Sequence, residues 1–249
     1  MKKGQVTIFI IVGIIIVGIV LLFLFLFNNQ KKIKEPAFIE VSPVYDFVQE
    51  CFETTSKEAL YFIGLHGGYY IPPKESTIFG VPYYIYDSQS KIISKEKIES
   101  EISRFVEESL PLCLGEFESF PEFKIEKGKP KASTEIGDGS VFIDLDYVIR
   151  ISKEESVYFL DEFESEIPVR LNTVYEVCEF IFNYQLENPG QVCLSCLLNL
   201  EEEKQVQINM QSDDAAIVYE IVDEESTLEV VEIEGFEPEN YKFRFAIKY

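Results

Sequence analysis

Histidine is almost missing from this 249-residue chain, where His66 stands alone, and bases are scarce, with 22 lysines and arginines against 44 acids. One histidine, with no G-x-S-x-G and no H-E-x-x-H motif, removes the usual warrants for a serine hydrolase or a zinc protease. His66 directly precedes Gly67-Gly68, a helix stop, and a helix C-terminus favours a cation there, so it reads as a capping or packing residue. Neither G-x-G-x-x-G nor G-x-x-x-x-G-K-[ST] occurs, so nothing supports a nucleotide site. No Asn-x-Ser/Thr sequon is present, and N-glycosylation is not expected. The five lysines of residues 1–34 meet no acid there; the rest holds 17 bases against 44 acids, a net charge of about −27. Such a domain repels phosphate backbones and anionic headgroups, which excludes nucleic acid as an expected partner. Basic proteins and divalent cations remain compatible with it.

What the chain does have is a long apolar run. Val6 to Phe27 is unbroken for 22 residues, with Thr7 its one polar side chain. As a helix it would be ~33 Å long, enough to cross a ~30 Å hydrocarbon core. No A-x-A-like cleavage site follows Phe27, where a secretory signal would place one. The run is therefore expected to stay on the mature protein as a single-pass membrane anchor. Lys2 and Lys3 oppose Lys31, Lys32 and Lys34, so lysine counting gives no clear orientation. A short leading tail before a large acidic domain favours an extracellular domain.

Three regions follow: a signal-anchor over 1–30, a charged linker over 31–41 and an acidic domain over 42–249. Ser42-Pro43 supplies a helix start, and apolar residues at helical spacing from Val44 to Ile63 predict an amphipathic helix to about Leu65. Tyr69–Pro73 and Val81–Tyr86 read as short extended segments that their prolines confine to an edge. A second helix is expected from about Ser94 to Leu114, a third after Pro168 and a short fourth over Val192–Leu200. Strands are expected at Phe123–Gly128, Lys131–Ile136, Val141–Ile151, Gln205–Met210, Ala216–Val222 and Tyr241–Lys248. In Val141–Ile151 the odd positions are apolar, while Asp144, Asp146 and Arg150 alternate with them. The expected fold is α+β: an N-terminal transmembrane helix, then an ectodomain of mostly antiparallel sheet with packed helices.

Five cysteines are present. Cys51 and Cys113 each lie on the apolar face of an expected helix. A bridge between them would close a loop of about 60 residues; two buried free thiols are the other reading. Cys193-Leu194-Ser195-Cys196 is a C-x-x-C, yet no strand leads directly into it as a redox motif would require. Zinc would need a second pair, and Cys178 offers only a third ligand. A local disulfide or buried thiols is the reading taken, with no metal and no cofactor. Asp138, Asp144 and Asp146 do not match a D-x-D-x-D-G calcium loop. Tyr69, Tyr70, Tyr83, Tyr84 and Tyr86 mark a proline-punctuated contact surface, since tyrosine is enriched at interfaces; ordinary edge packing is the competing reading.

Lys2-Lys3-Gly4 followed by Gln5-Val6-Thr7 and the apolar run resembles the class III signal peptides of archaeal type IV pilins and related surface proteins. The resemblance implies cleavage by a prepilin peptidase between Gly4 and Gln5. It covers about the first 27 residues. The fifth mature position is Phe9, where many pilins carry a glutamate that registers filament subunits. The whole chain also looks similar to uncharacterised archaeal single-pass membrane proteins. Together these imply a non-enzymatic, pilin-like protein of the cell membrane with a structural or adhesive role, and pilin-like or surface proteins as partners. The alternative is an anchored envelope enzyme or ligand-binding protein whose site carries no recognised motif.

Overall fold

A computed structural model describes residues 35–213, 216–228 and 239–249. They divide into two units. Of the first, only residues 35–42 are described; the second is Pro43–Tyr249. Helix α1 (Glu35–Leu65) begins upstream of Ser42 and runs through Pro43. Pro36 falls in its first turn, where backbone N–H groups have no intrahelical partner to lose. Helix α2 (Lys95–Leu114) is capped by Ser94, whose Oγ accepts from the Lys97 N–H at 3.3 Å.

The strands form two sheets. The first orders β2 (Gln89–Ser90), β1 (Tyr83–Tyr86), β9 (Glu239–Lys248), β8 (Ala216–Leu228) and β7 (Val206–Asp213). In the second, the long strand β5 (Val141–Lys153) pairs along one side with β6 (Ser156–Ile167). Its other side is shared by β4 (Lys131–Ile136) and β3 (Lys124–Lys127). Helices α3 (Leu171–Glu187) and α4 (Leu194–Lys204) separate β6 from β7.

Two parts of the expected architecture are corrected. No helix among the described residues is long and apolar enough to cross a membrane, and the Val6–Phe27 run lies outside them. The described part is thus an α+β domain with no spanning helix in it. The first sheet, moreover, is mixed: β1 runs parallel to β9, with Tyr83 opposite Ala246 and Tyr86 opposite Lys248, while the pairings of the second sheet are all antiparallel. A parallel pair needs a long connection, and here it joins opposite ends of the domain, which local pattern cannot reveal. Strand β6 is a further addition. Its buried residues Leu160, Phe163, Ser165 and Ile167 change phase at a register shift against β5, so its alternation is broken.

The core follows from these faces. Odd residues of β5 from Val141 to Ile151 are buried, and the α3 stripe Val174, Cys178 and Ile181 is buried as well. In the first sheet, Tyr84, Phe245 and Tyr219 stack in turn, with centroids 4.8 and 5.2 Å apart. Gly64 lets α1 approach β9: a Cβ there would collide with the Lys242 carbonyl oxygen.

Helices also cover the sheet edges. Along α2, Glu99, Ser103 and Glu107 meet alternate residues of edge strand β4. Glu107 accepts from the Ala132 N–H and Glu99 from the Ile136 N–H, each at 2.9 Å, while the Ser103 and Thr134 hydroxyls lie 2.8 Å apart. Four helical residues rise ~6 Å and two strand residues ~6.8 Å, so the two rows stay in step. Glu201 of α4 likewise accepts from the Ile208 N–H of β7 at 2.7 Å. Open strand edges template further pairing, and these side chains block it.

Burial also sets the alkaline limit. The Tyr175 hydroxyl donates to the Ile93 carbonyl at 2.8 Å, and burial, with Glu179 beside it, pushes its pKa up to about 12. Burial raises Tyr84, Tyr219 and Tyr241 as well. Because the fold prefers the neutral phenols, stability is full below the ordinary tyrosine value of 10.0. Above it the unfolded chain binds fewer protons, and each such tyrosine removes ~1.4 kcal/mol per pH unit. The expected result is cooperative alkaline unfolding, with tyrosinate absorbance rising in step with loss of circular dichroism. Smooth ionisation of all tyrosines near pH 10 in a folded protein would contradict it.

Candidate functional site

Two of the three most exposed large apolar side chains among the described residues, Leu112 of α2 being the third, sit on one tight turn. Ile78 is 88% exposed and Phe79 77%, with Ile71 exposed on the same loop. The Gly80 N–H donates to the Thr77 carbonyl at 3.0 Å, and the Thr77 N–H to the Val81 carbonyl at 2.8 Å. Ile78 and Phe79 are therefore the two central residues of a four-residue turn, whose side chains project away from the chain. The buried Thr77 hydroxyl accepts from the Val81 N–H at 3.2 Å. Gly80 takes a φ of +79°, and a Cβ there would press on His66 at 3.1 Å.

His66 supports the turn from below. Its Nδ1 lies 2.7 Å from the Phe62 carbonyl, and its ring sits over Phe62 with centroids 4.1 Å apart. The lone histidine thus braces the end of α1 against the loop. A tip held this way is preorganised: little ordering entropy remains to be lost when a partner covers it.

The tyrosines expected to form a contact surface flank this loop, with different fates. Tyr69 and Tyr70 lead into it and are half-buried. The Tyr70 ring meets Phe105 edge-on at 5.0 Å and lies under the Arg104 guanidinium at 5.3 Å; its N–H donates to the buried Glu101 at 3.0 Å. Glu101 also pairs with Lys97 at 2.5 Å. Tyr69 has a raised pKa, from burial and then from Glu101. Tyr83 and Tyr86 lie 5.2 Å apart, with the Lys248 ammonium 6.0 and 5.8 Å from their centroids. Tyr84 is wholly buried, its hydroxyl donating to the Gly67 carbonyl at 3.1 Å. It belongs to the core, not to any surface. Ile78 and Phe79 lie just ahead of the expected Val81–Tyr86 segment, and the signal that sets them on a turn is Gly80 between two β-formers.

Cys51 and Cys113 are bonded, with Cα atoms 5.8 Å apart, and join α1 to α2. Cys193 and Cys196 are bonded to each other, and Cys178 is a buried free thiol whose pKa burial pushes well up. Gly4 and Gln5, the expected cleavage pair, lie outside the described residues.

The outer face of the second sheet is acidic. Asp144 stands opposite Glu164 and Asp146 opposite Glu162, with Lys131 on the far side of Asp146. Like charges directly across strands destabilise a sheet by a few tenths of a kcal/mol or more. No group of three or more His, Cys, Asp or Glu among the described residues is placed to hold a metal ion. A shallow, open depression with room for little more than one water lies between α3 and α4. Small-molecule sites usually occupy ~300–1,000 Å³, so this one is undersized for a substrate. No family model, no curated protein and no solved structure matches the chain.

Proposed function

We propose that the chain is a pilin-like protein of the cell surface, with a structural or adhesive role, whose folded domain faces outward and works by contact. The observation that carries this reading is the rigid, exposed Ile78–Phe79 tip. Two adjacent apolar side chains exposed together on a braced turn offer a partner a preorganised apolar contact. The Cys51–Cys113 bond fits an oxidising compartment, where such bonds persist. The large negative charge keeps the domain from sticking to its neighbours, which leaves exposed apolar groups, the paired side chains of the tip among them, as the places where contact is favourable. The sequence start K-K-G-Q-V-T supplies the export signal in this reading.

The test is adhesion by cells displaying the protein. Ile78→Ser with Phe79→Ser removes the apolar tip at exposed positions, so stability should change by no more than ~0.5 kcal/mol. A central hot spot contributes ~2 kcal/mol or more, and adhesion between cells, or to a hydrophobic support, is expected to fall roughly tenfold or further. Unchanged adhesion with an intact fold would sink the contact reading.

A further inference from the structure

The two disulfides do different things. Cys51–Cys113 ties two helices together across 62 residues, whereas Cys193–Cys196 spans three positions and ties a helix cap to its own first turn. It connects no separate elements, and closing so short a loop constrains the unfolded chain least. A structural account leaves this bond with little purpose.

Its surroundings suit chemistry instead: no strand leads directly into this C-x-x-C, the feature expected of a redox motif, but a helix N-terminus activates it in its place. Cys193 is the N-cap of α4, and its sulfur accepts from the Cys196 N–H at 3.2 Å. A thiolate at that position is stabilised by the helix N-terminus and by this N–H. Cys193 is also part of the wall of the depression between α3 and α4, which Phe180, Tyr184, Val192 and Leu197 make apolar; Cys196 is not part of that wall. At its floor the Gln185 side-chain amide donates to the Tyr219 hydroxyl, and the Tyr249 hydroxyl donates to Gln185 at 2.8 Å, so the floor is fixed. Leu194 and Leu198 are largely exposed on the same short helix. Cys193, half-buried, thus borders a shallow apolar depression, with more apolar surface beside it.

We infer that Cys193–Cys196 is a thiol–disulfide exchange site for cysteine-bearing segments of other proteins, with Cys193 as the sulfur that is attacked. A partner thiolate bonds to the Cys193 sulfur, the Cys193–Cys196 bond breaks, and Cys196 leaves as thiolate. The partner's second thiolate then attacks its own sulfur in the mixed disulfide and releases Cys193. Two electrons pass from the partner dithiol to the pair, which ends as two thiols, while the partner ends as a disulfide. A low-molecular-weight disulfide, reacting in the reverse sense, restores the bond. The helix N-terminus makes Cys193 a good leaving group in the second step, since leaving improves as thiol pKa falls. This activity is independent of the Ile78–Phe79 contact.

The test uses the full chain in glutathione buffers, with cysteine states read by alkylation and mass spectrometry. Cys193–Cys196 is expected to open at a ratio of reduced to oxidised glutathione at least tenfold lower than Cys51–Cys113, with circular dichroism unchanged. The Cys196→Ser variant, mixed with an oxidised cysteine peptide, should form a mixed disulfide at Cys193 at least tenfold faster than Cys193→Ser forms one at Cys196. The oxidised wild type should oxidise a reduced two-cysteine peptide at least tenfold faster than glutathione disulfide does at equal concentration. Opening of both bonds at one ratio, equal rates for the two serine variants, or no acceleration over glutathione disulfide would each overturn the proposal.

Discussion

Replacing Arg170 with leucine is expected to destabilise the protein by about 3 kcal/mol, the low end of the range for breaking a buried ion pair. Asp223 is fully buried, and its carboxylate has few sources of compensation. The Arg170 Nε donates to its two oxygens at 3.1 and 3.2 Å, and an Nη2 contact adds to this pair. The Ser226 hydroxyl donates to Asp223 as well, and the Glu225 N–H at 3.3 Å. Arg170 does more than neutralise a charge. Its backbone N–H donates to Ser226 at 3.0 Å, its Nη2 to the Gln205 carbonyl at 3.1 Å, and its Nη1 meets Glu225 at 2.7 Å. One side chain thereby joins the start of α3, the end of α4 and the register shift in β8. Asp223 in turn raises the Arg170 pKa, so the guanidinium stays charged.

Truncation would leave a carboxylate without a countercharge in a site that excludes water, which is the costly half of such a pair. The Arg170 side chain keeps 20% of its exposure, and this partial solvation is why the low end applies. Arg170→Lys keeps the charge but loses the planar two-pronged contact and should cost less. The double change Arg170→Leu with Asp223→Leu should recover much of the loss, because no unpaired charge remains. Urea denaturation of the set checks this. A single leucine variant within 1 kcal/mol of wild type would contradict the role given to Asp223.

Removing the Cys51–Cys113 bond is expected to cost roughly 4 kcal/mol, the value for releasing a loop of this length in the unfolded chain. In a domain of about this size that corresponds to a fall in Tm of ~8–16 °C. Cys51 lies inside the core beside Phe52 and Val48, all buried, whereas Cys113 is exposed near the end of α2. Alanine at both positions loses little packing at Cys113, so most of the effect is the lost crosslink. The double variant, followed by thermal unfolding with and without a reductant, separates the terms. Reductant should lower the wild-type Tm toward that of the variant and leave the variant unmoved. A variant as stable as wild type would show that α1 and α2 hold together by packing alone.

How far the chain could be read in advance depended on where each signal was kept. Strand β5 was legible because one face of it is buried along its whole length, and Val141, Ile143, Leu145, Tyr147, Ile149 and Ile151 record that face directly. Helix α2 was legible from Ser94 and its apolar stripe. Strand β6 was not, because Val157 and Phe159 point outward while Leu160 and Phe163 point inward across an irregular register. The parallel pairing of β1 with β9 depends on residues about 160 positions apart. Glu99, Ser103 and Glu107 carry no pattern that marks them in the sequence; only the neighbouring strand gives them work. The contact tip was hidden for a related reason. Ile78 and Phe79 have the composition of a core strand, and their exposure follows from a turn closed by Thr77 and Gly80.

The N-terminal residue of the mature protein, read by mass spectrometry of the membrane fraction, tests surface display most directly. A chain beginning at Gln5 is predicted, the product of prepilin-peptidase cleavage after Gly4, and it would place the acidic domain and its Ile78–Phe79 tip among exported surface components. A chain still beginning at Met1 or Lys2 would contradict the pilin-like account and leave the tip without the surface setting on which its adhesive role depends.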